Sequence, residues 1–276
     1  MCIRDRSNPP FNVDTTAADV NDVSALTEFM TGASVVVHLA GPASVSDSFQ
    51  NSCEYVRVHT QGTSSVIQVM RQQGIRRLVY VSSAEVYGRP DVSPVSENHR
   101  LDARSPYAAA KIGAEKLVEA MCATNQIDAC ILRPFSIYGY GQSPRSLLSD
   151  ILEQLTNPSS LEIRLRDLKP VRDYCYVVDL ARAVLLAAER QSPGLAICNI
   201  GTALGTSVEQ LAQTVVEISG RDLRVVESRV QDRPSGSDIY SLIADRSRAK
   251  SVLGWEPKVP LRSGLEEMLH EMELPL

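Results

Sequence analysis

Three observations predict an α/β fold built on a doubly wound parallel sheet with a smaller lobe interleaved. Strand-length apolar runs alternate with helix-length stretches along the chain. The runs are near-continuous in Val, Leu, Ile and Ala rather than alternating, the texture of strands covered on both faces. Unusual polar residues follow directly on those runs, at the strand ends where open parallel sheets hold ligands.

In order, Phe11 to Val13 reads as a short strand and Val35 to Ala40 as a strand buried on both faces. A helix is expected from about Cys53 to Gln73, stopped by Gly74, followed by a strand at Leu78 to Val81. Ser105 reads as an N-cap with Pro106 at the first helical position, opening a helix through Lys111 to about Thr124. Ala129 to Leu132 is the next buried strand, ended by Arg133-Pro134. Beyond Tyr138, Gly, Ser and Pro punctuate helices near Leu147 to Leu155, Val178 to Glu189, Ser207 to Ser219 and Gly264 to Met272.

With 276 residues, 43% of them hydrophobic, and a formal charge of -5, the chain has the size and balance of a globular enzyme. Its basic residues are scattered, Arg76-Arg77 being a short adjacent pair, so no stripe for a nucleic-acid backbone is present. The longest apolar runs fall far below the ~20 residues of a spanning helix, and no membrane partner is expected. Six cysteines (Cys2, Cys53, Cys122, Cys130, Cys175, Cys198) lie apart with no C-x-x-C pair, which reads as reduced, cytoplasmic and without a metal site. The opening Met1 to Arg6 resembles a translated sequencing adapter, and residues 1–7 are set aside from fold reasoning.

The chemistry begins with Tyr107 and Lys111, four positions apart on one helix face. A cationic amine there is expected to lower the tyrosine pKa from ~10 and make the phenolate available as a base. Ser83, at the end of the preceding strand, can share the hydrogen bonds around a substrate oxygen. Tyr-x-x-x-Lys alone is a weak signal.

It gains weight from its company. Val81-Ser82-Ser83-Ala84-Glu85-Val86-Tyr87-Gly88, then Ser105-Pro106-Tyr107-Ala108-Ala109-Ala110-Lys111, then Arg133-Pro134-Phe135-Ser136-Ile137-Tyr138-Gly139 resemble, in order, the extended short-chain dehydrogenase/reductases, and within them the nucleotide-sugar epimerases and dehydratases. The resemblance implies a Rossmann-like sheet and NAD as cofactor, with Ser83, Tyr107 and Lys111 catalytic. It implies that Asp19 and Val20 contact the adenine, that Leu39, Ala40 and Gly41 pass beneath the cofactor, and that Pro134 and Phe135 stand beside the nicotinamide. His59 occupies the place of a usual asparagine and Ser136 that of another, which touches substrate phosphate. Arg172 and Arg233 match arginines that hold a sugar-nucleotide diphosphate, a task suited to the planar guanidinium fork, and Arg145 lies at the mouth of the Ser136 loop. The partner is then a nucleotide-diphosphate sugar, and the helices at Cys53 to Gln73 and Tyr107 to Thr124 match those of a homodimer interface.

The resemblance divides the chain into a partial NAD-binding domain at 8–140, rejoined by 172–200, and a substrate lobe at 141–171 and 201–276. No Gly-x-x-Gly-x-x-Gly loop precedes Leu39-Ala40-Gly41. The expectation is a sheet lacking its first strands, about 30 residues or more, with NAD held weakly or not at all by this chain.

The common chemistry of similar proteins is hydride removal from sugar carbon 4 while tyrosine takes the hydroxyl proton. Dehydratases carry Asp-Glu after the Ser/Thr, where this chain has Ala84-Glu85; alanine is no general acid, so full dehydration is disfavoured. Glu85 is compatible with decarboxylation, with epimerisation at a neighbouring carbon, or with a structural hydrogen bond. The expected reaction is 4-epimerisation; a non-catalytic binder of the same fold is the rival.

Overall fold

A computed structural model describes residues 17–144, 146–228 and 238–272. Residues 1–7, the Phe11 to Val13 run, Arg145 and Arg233 lie outside the described residues.

Helix α1 (Val23–Phe29) is capped by Asp22, whose carboxylate accepts from Ala25 N, and leads to strand β1 (Val35–His38). Short helices α2 (Val45–Gln50) and α3 (Ser52–Tyr55) follow, then a π-helical turn (Val56–Gln61) that runs without a break into α4 (Gly62–Gln72). Strand β2 (Arg77–Val81) ends in a 3₁₀ turn (Ala84–Tyr87). Helix α5 (Pro106–Ala123) has the cap that its sequence demands, with Ser105 Oγ accepting from Ala108 N at 3.1 Å and Pro106 in the first turn. Such a cap contributes about 1 kcal/mol. Strand β3 (Asp128–Pro134) completes this half.

The second half contains β4 (Ser136–Tyr138), α6 (Leu147–Thr156), β5 (Glu162–Leu165), β6 (Val171–Arg172), β7 (Tyr174–Tyr176), α7 (Val177–Glu189) and β8 (Leu195–Ile200). After it come β9 (Thr206–Ser207), α8 (Val208–Ser219), β10 (Arg224–Glu227), β11 (Ser241–Leu242), α9 (Ser247–Leu253) and α10 (Leu261–Glu271).

The main sheet is parallel, in the order β1-β2-β3-β8, with Leu78 opposite Ala129 and Cys130 opposite Ala196. Period-two alternation sorts its side chains between two cores. Leu78, Tyr80, Ala129 and Ile131 pack with Leu26, Met70 and Val118 from α1, α4 and α5. Val79, Cys130, Leu132 and Cys198 pack with Ala183, Ala187 and Trp255 on the other face. A third core gathers Leu148, Ile151, Ile163, Leu211, Val215, Leu265 and Met268 from α6, β5, α8 and α10. That lobe is tied to the sheet by Asp173, whose buried carboxylate accepts from Thr202 N, Thr202 Oγ1, Ala203 N and Ala244 N at 2.6 to 3.1 Å.

One strand departs from expectation. Val35 to Ala40 reads as buried on both faces, yet β1 is an edge strand among the described residues, with Val37 37% and Leu39 54% exposed. Its hydrogen-bonded neighbour is β2 alone among those residues, so apolar composition did not translate into cover. Of the cysteines, Cys122, Cys130, Cys175 and Cys198 are buried free thiols and Cys53 is exposed. Among the described residues no helix is long and apolar enough to cross a membrane.

Candidate active site

The carboxyl ends of β1, β2 and β3 and the first turns of α5 surround one cleft of about 350 Å³. β1 contributes Leu39, Gly41 and Pro42; the β2 end contributes Ser82, Ser83, Ala84 and Glu85; the β3 end contributes Pro134, Phe135, Ser136 and Ile137. Tyr107 and Lys111 line it from α5 and His59 from the π turn. Sequence reasoning missed Ser82, Pro42, Ile137 and Leu242 as wall residues. The position of Ser82 beside Ser83 was a usable signal, whereas Leu242 arrives through the pairing of β11 with β6, which nothing local announces.

Ser83 has two tasks. Its Oγ accepts from Glu85 N at 3.2 Å, capping the 3₁₀ turn, and its side chain lies close enough to the Tyr107 hydroxyl to favour the ionised form. The Tyr107 ring is buried edge-on between Tyr55 and His59, with ring centres 6.1 and 5.5 Å away. Lys111 is buried too, its Nζ donating to Val81 O at 2.8 Å and lying 5.1 Å from the centre of the Tyr80 ring.

This geometry corrects the expected electrostatics. Burial pushes the Tyr107 phenol up to about 12, against the lowering effect of the Ser83 side chain, and the Glu85 charge adds to the rise. The same burial brings the Lys111 amine down to about 7, with the Glu115 carboxylate opposing the fall. Lys111 is aimed at a backbone carbonyl, and desolvation outweighs any help it gives the phenolate. The protein thus holds a neutral tyrosine beside a lysine poised near neutrality.

His59 reaches the cleft because the π turn carries it there. Such turns recur at functional sites. Its Nε2 lies 2.9 Å from Pro42 O, while Nδ1 is buried and without a hydrogen-bond partner among the described residues, as is Ser82 Oγ. Burial and the Lys111 charge hold the ring down to about 3, so it is neutral. Gly41 lies against it at φ +140°, where a Cβ would come within 2.1 Å of His59 Cε1; this crossing needs glycine.

Other expected site residues lie elsewhere. Asp19 and Val20 do not line this cleft. The Asp19 carboxylate pairs with Arg57 at 3.0 Å and sits far below the usual carboxylate range because of that bond, while Val20 packs against Gly62. Ala40 follows Leu39 at the β1 end but is not part of the cleft wall. Arg172 is half-buried in β6, its Nη1 donating to Val171 O at 3.1 Å. Glu85 stands in the wall beside Ser83.

A parallel sheet wound on both faces, with a Ser-Tyr-Lys cluster in a cleft at its carboxyl edge, defines an α/β enzyme of the dinucleotide-dependent kind. The chain belongs to the NAD-dependent epimerase/dehydratase family, whose model matches residues 2–201. It is 33% identical over 253 residues to the UDP-glucose 4-epimerase of Bacillus subtilis, covering 84% of this chain and 72% of that one. With a putative UDP-glucose 4-epimerase of Methanocaldococcus jannaschii it shares 30% over 243 residues, 87% and 77% of the two chains. Among solved structures, the UDP-glucose 4-epimerase of Thermotoga maritima with UDP-glucose superimposes with a TM-score of 0.86 at 28% identity, covering 97% of this chain and 88% of that one. MoeE5 in complex with UDP-glucose and NAD gives 0.86 at 29%, with the same coverage.

Proposed function

We propose that this chain interconverts nucleotide-diphosphate sugars epimeric at carbon 4, with a UDP-hexose as the favoured substrate. The observation that carries the reading is the convergence of Ser83, Tyr107 and Lys111 in one cleft, with the Ser83 side chain close enough to the Tyr107 hydroxyl to act on it. The UDP-glucose 4-epimerases to which it is similar support the sugar and the carbon.

The cleft fits NAD. Two buried polar atoms in its wall, His59 Nδ1 and Ser82 Oγ, have no partner among the described residues and suit a polar ligand. Gly41 allows close backbone approach, and Pro134 and Phe135 offer an apolar wall. Leu39, Ala40, Gly41, His59, Tyr107, Lys111, Pro134 and Phe135 would hold the cofactor around this cleft, with Asp19 and Val20 at its adenine end. When bound, NAD supplies reversible acceptance of the hydride from carbon 4.

The chain's own residues handle the proton. Tyr107 Oη, ionised once its own proton has passed to solvent, takes it from the sugar 4-hydroxyl as the carbon becomes a ketone, and the phenol so formed returns it once the sugar has turned its other face. Ser83 donates to the same oxygen and holds the tyrosine in line. Lys111 supplies positive charge beneath them, which lowers the cost of forming the phenolate from a phenol that burial alone holds neutral. Arg172, with Arg145 and Arg233, would grip the diphosphate, and Ser136 would donate to it. Two protomers would pair through α5 and the helical run from 52 to 72.

Incubation with NAD and UDP-glucose, UDP-galactose, or their acid and acetamido relatives tests the reading by product NMR. Absence of any isomerised product, at NAD concentrations where calorimetry shows the cofactor bound, overturns it. Glu85 favours a second reading, decarboxylation or dehydration, because its carboxylate shares the cleft wall with Ser83; release of carbon dioxide from a UDP-uronic acid, lost in Glu85→Gln, would select it. Binding without turnover in both the parent and Tyr107→Phe would select a ligand-binding role.

A further inference from the structure

Three chain segments carry the site residues, and one buried polar network ties them together. Glu115 lies one helical turn beyond Lys111 and two beyond Tyr107 on α5. Its carboxylate is met by Arg133 in a planar, two-bond embrace, Nε to Oε1 at 3.0 Å and Nη2 to Oε2 at 2.6 Å, with both side chains almost wholly out of solvent (2% and 0% exposed). Arg133 immediately precedes Pro134 and Phe135. Its remaining nitrogen, Nη1, donates to Tyr87 Oη at 2.9 Å and to Glu97 O at 3.3 Å, and Tyr87 Oη donates to Asn199 Oδ1 at 2.6 Å. Tyr87 closes the turn that Ser83 caps. Each of the three segments therefore has a network member within four residues of a site residue.

Holding the segments together does not by itself require charge. Well-packed apolar side chains of similar volume replace buried ion pairs at little cost. What they cannot supply is a negative charge beside Lys111. The groups facing that amine are the Tyr80 ring and Val81 carbonyl from β2, His38 from β1, His59 from the π turn, and Tyr107 and Glu115 from α5. Both imidazoles and both phenols are neutral at physiological pH. Glu85, across the cleft, acts on Tyr107.

We propose that Glu115, locked in place by Arg133, is a positioning residue that keeps the buried Lys111 amine protonated and holds its helix in register with Ser83 and Phe135. The inference rests on the reading of Lys111 as part of the site. Its corollary is that the ion pair contributes charge to catalysis without touching the substrate.

The chain has five lysines, Lys111, Lys116, Lys169, Lys250 and Lys258, so selective carbon-13 labelling at the lysine ε-carbon gives a spectrum in which Lys111 is assigned by its loss in Lys111→Met. In the parent chain that signal is expected to titrate near pH 7. In Glu115→Gln, and in the double variant Glu115→Gln/Arg133→Met, which leaves no unpaired charge and serves if the single change unfolds the chain, the midpoint moves down by about one pH unit or more. In Tyr87→Phe, which cuts one bond of the network and keeps both charges, it stays. Where turnover is measured, the alkaline limb of the kcat profile moves down with it. An unchanged midpoint in the folded double variant overturns the inference. Because the signal is read without substrate, the titration decides the matter even if epimerase activity is absent, and epimerase activity with an unmoved midpoint sinks this inference alone.

Discussion

His59 donates its Nε2 hydrogen to the Pro42 carbonyl, 2.9 Å away, and this one bond makes its other nitrogen an acceptor with no donor among the described residues. A carbonyl oxygen only accepts, so the tautomer follows from the partner. An asparagine amide at this position could donate to the same carbonyl and still offer an oxygen to the cleft. His59→Asn is therefore expected to keep the stability of the parent, whereas His59→Leu loses about 1 kcal/mol with the missing bond, read from denaturant midpoints.

Two buried imidazoles make stability depend on pH. His38 and His59 are both held down to about 3 from an ordinary 6.5, chiefly by burial. The unfolded chain then binds more protons than the folded one between those values. Stability is complete above about 6.5 and is lost as pH falls toward 3, by about 1.4 kcal/mol per pH unit for each ring. Replacing both residues, as His38→Gln with His59→Asn, is expected to flatten a plot of melting temperature against pH in this window.

Tyr107→Phe removes the hydroxyl that meets Ser83 and leaves the buried ring and its edge-on contacts in place. Turnover is expected to fall by about 10²- to 10⁴-fold, the range for loss of a positioned acid-base group, with sugar-nucleotide affinity close to the parent's. In the ligand-free chain, ultraviolet titration should show no phenolate from this residue until the pH approaches 12.

Gly41→Ala meets two obstacles, the backbone angle and the His59 ring. The strain costs about 1 to 3 kcal/mol. Adding His59→Ala removes the collision but not the angle, so the double variant should recover part of the loss, a coupling that a double-mutant cycle on stability measures directly. Full recovery would mean that the backbone tolerates alanine there.

Arg172→Ala should raise KM for the sugar nucleotide by about 10- to 100-fold with kcat nearly unchanged, since a grip on the diphosphate acts equally in ground and transition states. A fall in kcat with constant KM would place Arg172 at the reacting carbon instead.

The parts of the protein that were legible in its sequence are those fixed by neighbours along the chain. Ser105-Pro106 announced where α5 begins, and the cap is present in the structure. The apolar runs located β2 and β3 because strands buried on both faces leave no room for polar side chains. The spacing of Tyr107 and Lys111 placed them on one face because a helix has one period. What depended on distant partners was misread or missed. β1 has the composition of a central strand but lies at an edge, and the direction of the Tyr107 shift follows from a desolvation that no local spacing encodes. Glu115 and Arg133 each looked like an ordinary charged residue of its element, and only the fold makes them a pair.

The π turn at Val56–Gln61 makes the helical run from 52 to 72 one residue longer than its geometry requires. One surplus residue rotates everything beyond it by about 100° relative to an unbroken α-helix. Tyr55, just ahead of the turn, and His59, within it, face Tyr107, and Val66, Val69 and Met70 turn into the sheet core after it. A regular helix of this sequence could satisfy one of these sets. Deleting a single residue here would give a better-bonded helix and a worse enzyme, so this stretch should accept several substitutions more readily than one deletion: its length, as much as its letters, is part of the active site.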